Sequence, residues 1–378
     1  MKIGLLKEPG DDRRVALLPS NVRSLIDLKV SFAVEEGAGQ GAFFSDAQYK
    51  ETGAEVLSAS DIFKQADVII RINAFTKDEI AQLEGRKILL SMMNPFMNKE
   101  AVTEAAAKEV TAISLDMIPR TTRAQSMDVL SSMATAAGYK AVLEAANHLP
   151  SFFPMFMSAA GTIKPAKILI LGAGVAGLQA IATARKLGAV VEAFDVRSAV
   201  KEEVESLGGK FIEVEGAQES ADAGGYAVEQ TEEYKEKQRQ LIHDHSVKSD
   251  VVITTAQIPG KEAPKLLKKE TVEAMKKGAV VIDLAASTGG NCELTHNNEK
   301  YEHNGVLIVG NSNYPSEIPS DSSKMFGNNL LNFLRLIIDE EGEAKLDFKD
   351  DIVEGATITH GGKIMNDKLK EIVEHVRS

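Results

Sequence analysis

Short apolar runs, partly β-branched, alternate with segments whose apolar residues recur at helical spacing, and this alternation fills most of the chain. In the first third, Ile3–Leu6, Phe32–Val34, Val68–Ile72, Ile88–Ser91 and Val110–Ser114 predict strands, with helical patterns near 20–28, 58–66, 77–83 and 98–108. Pro19-Ser20 and Asn98 stand where helix starts are expected. A helix follows over about 132–147, then a connection, 151–166, rich in Phe, Met and Pro. A second series of strands is predicted at Ile168–Leu171, Val190–Phe194, Phe211–Glu213, Val251–Thr254, Ala279–Asp283 and Val306–Val309. Beyond 320 the pattern gives a helix over Phe326–Ile338, strand-like alternation over Ile352–His360 and a last helix near 366–376.

Strands separated by helices imply parallel sheets covered on both faces. The expectation is an α/β protein of two Rossmann-like doubly wound parallel-sheet domains, with a cleft between them. The tail after 320 is expected to return to the first domain, which is then discontinuous (1–131 plus 320–378), with a second domain over 132–319. The helices near 132–147 and 322–338 would be the crossovers joining them. Two segments break the alternation. The stretch Arg120–Met133 is too rich in donors and acceptors for an ordinary linker, and 214–232 is of a length that reads as either a functional lid or a disordered loop.

The start of the second series carries the clearest chemistry. Strand Ile168–Leu171 runs straight into Gly172, Gly174 and Gly177 in G-x-G-x-x-G spacing, with Val175 and Ala176 between them. The first glycine suits the tight turn, the second lets backbone approach a pyrophosphate, and the third lets the next helix pack on its strand. That helix, about Ala176–Leu187, offers N–H groups and its positive dipole end to phosphate. The next strand ends at Asp195, followed by Val196 and Arg197. A carboxylate there accepts hydrogen bonds from an adenosine ribose, favouring NAD over NADP, and Arg197 would weaken that preference. The alternative is a tight turn in an α/β domain that binds nothing.

Composition narrows the field further. A net charge of −12 disfavours a nucleic-acid partner. The single cysteine, Cys292, excludes an internal disulfide and fits a reducing cytosol. No apolar run approaches the ~18 residues of a membrane span. The seven histidines show no metal-ligand spacing; His243 and His245 read as a solvated helix end, so no metal site is expected.

Several stretches together resemble the NAD(H)-binding domain I of proton-translocating NAD(P) transhydrogenase. They are Arg120-Thr-Thr-Arg-Ala-Gln-Ser-Met-Asp-Val-Leu-Ser131, Ser158-Ala-Ala-Gly-Thr-Ile163, the glycine loop, Ala223-Gly-Gly-Tyr226, Thr254-Thr-Ala-Gln-Ile-Pro-Gly260, Ile282–Asn291 and Asn329-Leu-Leu-Asn-Phe333. The resemblance implies hydride transfer between NAD(H) on this chain and NADP(H) held by a partner β subunit. It also implies coupling to protons through a membrane-spanning subunit, a homodimer, and a cytoplasmic chain held peripherally at the inner membrane through its partners. Arg120 would lie near the pyrophosphate or nicotinamide carboxamide, Asp128 and Ser131 would hold the carboxamide, and Gln125 would reach towards the partner's nicotinamide ribose. Gly225 and Tyr226 would belong to a mobile loop closing over the nucleotide, and Ala256 to the cofactor site.

The rival is an alanine dehydrogenase-like enzyme, which shares the two-domain design and the Arg-Val-Ala start, here Arg14-Val-Ala16. By alignment Arg71 stands at that enzyme's substrate lysine, Asn94 at its histidine and Ser287 at its aspartate. Asparagine, or serine without a base, cannot supply the acid/base step. A non-catalytic NAD(H)-sensing module is the third possibility.

Overall fold

The structure, a computed structural model, describes residues 1–214, 231–258 and 260–377. It divides into two compact units, Met1–Met133 with Pro315–Ser378, and Ala134–Tyr314. The helix Val129–His148 supplies residues to both.

The first unit opens with β1 (Lys2–Leu5), β2 (Ser31–Glu35), β3 (Glu55–Leu57), β4 (Val68–Ile70), β5 (Ile88–Ser91) and β6 (Thr111–Ser114). All pair in parallel, with β1 between β2 and β4. Helix starts here are set by side chains. Ser58 and Thr76 accept the N–H groups of Asp61 and Glu79. Asn98 does occupy an N-cap position, but its side chain donates instead to the Met93 carbonyl.

The first strands of the second unit form a hairpin the sequence pattern does not announce, β7 (Phe156–Ser158) against β8 (Gly161–Ile163), exposed along its whole length. There follow β9 (Lys167–Leu171), β10 (Val190–Phe194), β11 (Lys210–Ile212), β12 (Val251–Thr254), β13 (Val280–Asp283), β14 (Glu299–His303) and β15 (Val306–Gly310). Their order is β11-β10-β9-β12-β13-β15-β14, parallel except for the edge strand β14. Strand order reverses between β9 and β12, the position at which doubly wound sheets open to a ligand. Both faces of this sheet are buried. Ile168, Ile170, Val251 and Ile253 face one core, and Leu169, Leu171, Val252 and Val281 the other. Continuous apolar runs rather than alternation are the result.

The chain then returns to the first unit. The helix Pro319–Ile337 buries Phe326, Leu330, Phe333 and Leu334 in the core of that unit. The alternation over Ile352–His360, expected as one strand, is a helix over Asp351–Ala356 and then β16 (Thr357–His360). The cause is Asp350, whose carboxylate accepts the N–H groups of Ile352 and Val353 and starts a helical turn. β16 adds antiparallel to β6, and β17 (Lys363–Ile364) adds to β16, completing a sheet ordered β17-β16-β6-β5-β4-β1-β2-β3. Its six parallel strands repeat the doubly wound order of the other unit.

Candidate functional site

In the second unit the turn after β9 is held from both neighbouring strands. Gly172 N donates to the Phe194 carbonyl at 2.8 Å, and Thr255 N donates to the Leu171 carbonyl at 2.9 Å. Thr255 Oγ1 donates to the Gly172 carbonyl at 3.1 Å. The three glycines do different work. Gly172 has φ of +105°, and a Cβ there would fall 2.5 Å from Thr255 Oγ1. At Gly177 a Cβ would fall 1.9 Å from the Gly172 carbonyl oxygen, so close helix–strand packing requires glycine. Gly174 has φ of −78°, and a Cβ there would meet no atom of the described residues within 4 Å. Nothing among the described residues requires glycine at 174. It caps the helix Val175–Lys186 without a side chain, so the N–H groups of Val175, Ala176 and Gly177 open onto a cradle a Cβ would fill. That is the surface a pyrophosphate fits. From behind, Gly138 brings another helix against this one: a Cβ at 138 would fall 2.1 Å from the Ala176 carbonyl oxygen.

Asp195, at the end of β10, is brought to this turn. Its Oδ2 accepts the Ala173 N–H at 2.8 Å, and Arg197 donates to it through backbone and guanidinium. Val196 packs half-buried on the core beneath. Ala256 reaches the turn from β12, and the buried Asn291 secures it: Oδ1 accepts Ala256 N–H at 3.0 Å and Nδ2 donates to the Ala256 carbonyl at 2.9 Å. Pattern and resemblance assigned Asn291 no role, although it closes the quoted Ile282–Asn291 stretch. Gly225 and Tyr226 lie outside the described residues.

In the first unit Arg120, Gln125 and Asp128, with Pro119, Thr121, Thr122 and Ala124, line a cavity of about 290 Å³. Arg120 and Gln125 are exposed. Asp128 binds Ser131, accepting its N–H at 2.9 Å and its Oγ–H at 2.6 Å, so the two form one polar unit at the start of the helix Val129–His148. The loop is fixed from the return segment. Asn329 and Asn332 both donate to the Ser126 carbonyl, at 2.8 and 3.0 Å, and Ser132 Oγ donates to Asn329 Oδ1. Arg123 is anchored on Asp350.

The two arginines of the dehydrogenase comparison, Arg14 and Arg71, hold carboxylates of the chain itself. Arg14 donates to both oxygens of Asp12, at 3.0 and 2.5 Å, and Arg71 to both oxygens of Glu79, at 2.6 and 2.7 Å. Burial would push both acids up, but the hydrogen bonds from their arginines hold them below the ordinary carboxylate range. Asn94 N donates to Asp116, and Ser287 N to Ser312 Oγ. Cys292 is buried, and burial pushes its thiol up to about 11. His245 pairs with Glu192 and His243 with Thr271. Among the described residues no helix is long and apolar enough to cross a membrane.

The family described as Alanine dehydrogenase/PNT matches the chain in both halves, its N-terminal domain over residues 4–137 and its C-terminal domain over 141–367. An NAD(P) transhydrogenase alpha-subunit chain of Rhodospirillum rubrum is 44% identical, over 98% of this chain and 99% of that one. The crystal structure of transhydrogenase from Sinorhizobium meliloti superposes with a TM-score of 0.87 at 42% identity, covering 96% of this chain and all of the other. An alanine dehydrogenase of Mycolicibacterium smegmatis is 25% identical over 98% of this chain and 96% of its own length. The chain belongs to the alanine dehydrogenase/PNT family.

Proposed function

We propose that the chain is the NAD(H)-binding component of a proton-translocating NAD(P) transhydrogenase, exchanging hydride with NADP(H) held by a partner β subunit. The observation that carries this over an amino-acid dehydrogenase is the state of Arg14 and Arg71. Each is buried and paired with both oxygens of an acid of the same chain, Asp12 or Glu79. End-to-end similarity to a transhydrogenase alpha-subunit chain supports the same choice.

The turn Gly172–Gly177 takes the pyrophosphate on the helix N-terminus, and Asp195 takes the adenosine ribose. Ala256 and Val196 complete the walls. Arg120, Asp128 and Ser131 hold the carboxamide, which alone fixes the rotation of a nicotinamide ring, and Gln125 orients the partner's ring. The resemblance assigns Gly225 and Tyr226, outside the described residues, to the same nucleotide. When bound, the nicotinamide supplies the two-electron chemistry. The residues of this chain supply binding and orientation, and no proton transfer is asked of them. The chain works as a homodimer at the cytoplasmic side of the inner membrane, through the β subunit and a membrane-spanning subunit.

The test uses the purified chain. It binds NADH but reduces nothing, pyruvate with ammonia included. Addition of a purified NADP-binding domain from such an enzyme brings rapid transfer, and Gln125→Asn slows that transfer while leaving NADH affinity nearly intact. Amino-acid dehydrogenase turnover by the chain alone overturns the proposal. Binding without transfer beside a matched partner favours the sensing module.

A further inference from the structure

The carboxylate of Asp195 is saturated by its own chain. Oδ1 accepts Arg197 N–H at 2.9 Å and Arg197 Nε–H at 2.8 Å; Oδ2 accepts Ala173 N–H at 2.8 Å and Arg197 Nη2–H at 2.7 Å. A carboxylate offers about four lone-pair directions, so all are taken. The side chain of Asp195 is 8% exposed and that of Arg197 27%.

A ribose 2′,3′-diol brings two O–H donors, and two of the present donors must leave before it is accepted. Ala173 N–H is fixed by the glycine turn, and Arg197 N–H by the two-residue span to Asp195. The two guanidinium bonds sit on a side chain with several rotatable bonds at the edge of solvent. They can leave together, and their departure frees one position on each oxygen. The exchange is therefore two donors for two. A 2′-phosphate changes both sides of it: one hydroxyl is lost, the phosphate charge meets Asp195, and the displaced guanidinium is close by to pair with it.

We infer that Arg197 is a specificity-determining residue whose guanidinium occupies the two acceptor positions on Asp195 that an adenosine ribose diol needs. Nucleotides with a free diol bind by displacing it, and 2′-phosphorylated ones bind by recruiting it. The inference rests on the proposed nucleotide site at the glycine turn and adds to it the group that sets selectivity there.

Calorimetric titration of the full chain with NADH and with NADPH tests it, read as the ratio of the two dissociation constants on one preparation. A misfolded fraction changes the number of sites but not that ratio. Arg197→Ala is expected to tighten NADH about threefold and weaken NADPH about tenfold, the scale of one charged hydrogen bond. Arg197→Lys, a point charge without the fork, falls between. Asp195→Ala moves the ratio the other way, weakening NADH about tenfold or more and tightening NADPH. An Arg197→Ala chain that weakens both nucleotides by the same factor, or neither, overturns the assignment of Arg197 and leaves the nucleotide site standing. If the unaltered chain binds neither nucleotide, the site and the inference fall together.

Discussion

Arg123 and Asp350, 227 residues apart, are joined through the two terminal guanidinium nitrogens and both carboxylate oxygens at 2.6 Å. The same carboxylate starts the helix Asp351–Ala356 by accepting Ile352 N–H at 2.9 Å. One side chain thus ends a loop and begins a helix. The hydrogen bonds from Arg123 hold Asp350 below the ordinary carboxylate range.

Replacing Asp350 by Ala removes a cap, which costs about 1 kcal/mol, and lowers Tm by about 2–4 °C. Asp350→Asn keeps a capping oxygen and loses the charge, so it costs less. Both variants speed amide exchange across 121–127. Unchanged exchange in both would mean that the loop does not depend on this anchor.

The Ser126 carbonyl has two donors, Asn329 and Asn332. Either asparagine alone can keep the loop in place, so Asn332→Ala is nearly silent. The double change Asn329→Ala with Asn332→Ala costs more than the sum of the two, as groups sharing one partner do. Its signature is a transfer rate to a partner-bound NADP analogue lowered about tenfold at unchanged NADH affinity, since positioning and not binding is lost. Strict additivity in rate would place the two asparagines in separate roles.

The glycine turn separates packing from binding. Gly177→Ala forces backbone apart and costs about 1–3 kcal/mol in stability, read as a fall in Tm. Gly174→Ala meets no atom of the described residues within 4 Å and leaves Tm near that of the unaltered chain. Its cost appears in NADH affinity, by calorimetry. A Gly174→Ala chain with full NADH affinity would remove the pyrophosphate from this turn.

The parallel strands other than the short edge strand β3 (Glu55–Leu57), and the glycine turn, were legible because their causes are local. A strand buried on both faces is a run of apolar residues, and a turn with φ of +105° needs glycine at 172. The hairpin Phe156–Ile163 escaped because it is exposed throughout, leaving no buried face to write a period of two. The Ile352–His360 alternation misled because the capping bonds from Asp350, not the apolar spacing, decide its first half. The Ser126 anchors lie more than 200 residues away, beyond any local pattern. Arg197 sat in plain view beside Asp195, but sequence could not show that its fork fills that carboxylate.

Acid sensitivity follows from Asp12. Its carboxyl is held below the ordinary range by Arg14 against the opposing effect of burial. The unfolded chain therefore takes up this proton at a higher pH than the folded one. The stabilisation is whole above about pH 4 and is lost as pH falls through the lower folded-state value. Asp12→Asn leaves Arg14 short of its counter-charge, costs about 3 kcal/mol at neutral pH and flattens the acid limb of Tm against pH. An acid limb of unchanged slope would assign the pH dependence to other carboxyls.

Asn291 offers the sharpest test of how the Ala256 end of the site is built. Its amide meets three backbone groups, accepting from Ala256 N–H and donating to the carbonyls of Ala256 and Pro264 at 2.9 and 2.8 Å, and the residue is fully buried. Asn291→Ala strands all three, each costing about 1–3 kcal/mol less whatever water recovers, and Tm falls accordingly. Asn291→Asp is nearly isosteric, yet at neutral pH it keeps the one acceptor and sets a buried charge against two carbonyl oxygens. Protonation removes that charge and restores a single donor. The deficit of Asn291→Asp relative to the unaltered chain should therefore shrink as pH is lowered from 7 towards 5, since burial raises such a carboxyl well above about 4. The deficit of Asn291→Ala has no titrating group and stays constant over the same range. Parallel Tm curves for the two variants would show that donation to Ala256 and Pro264 does not hold this loop.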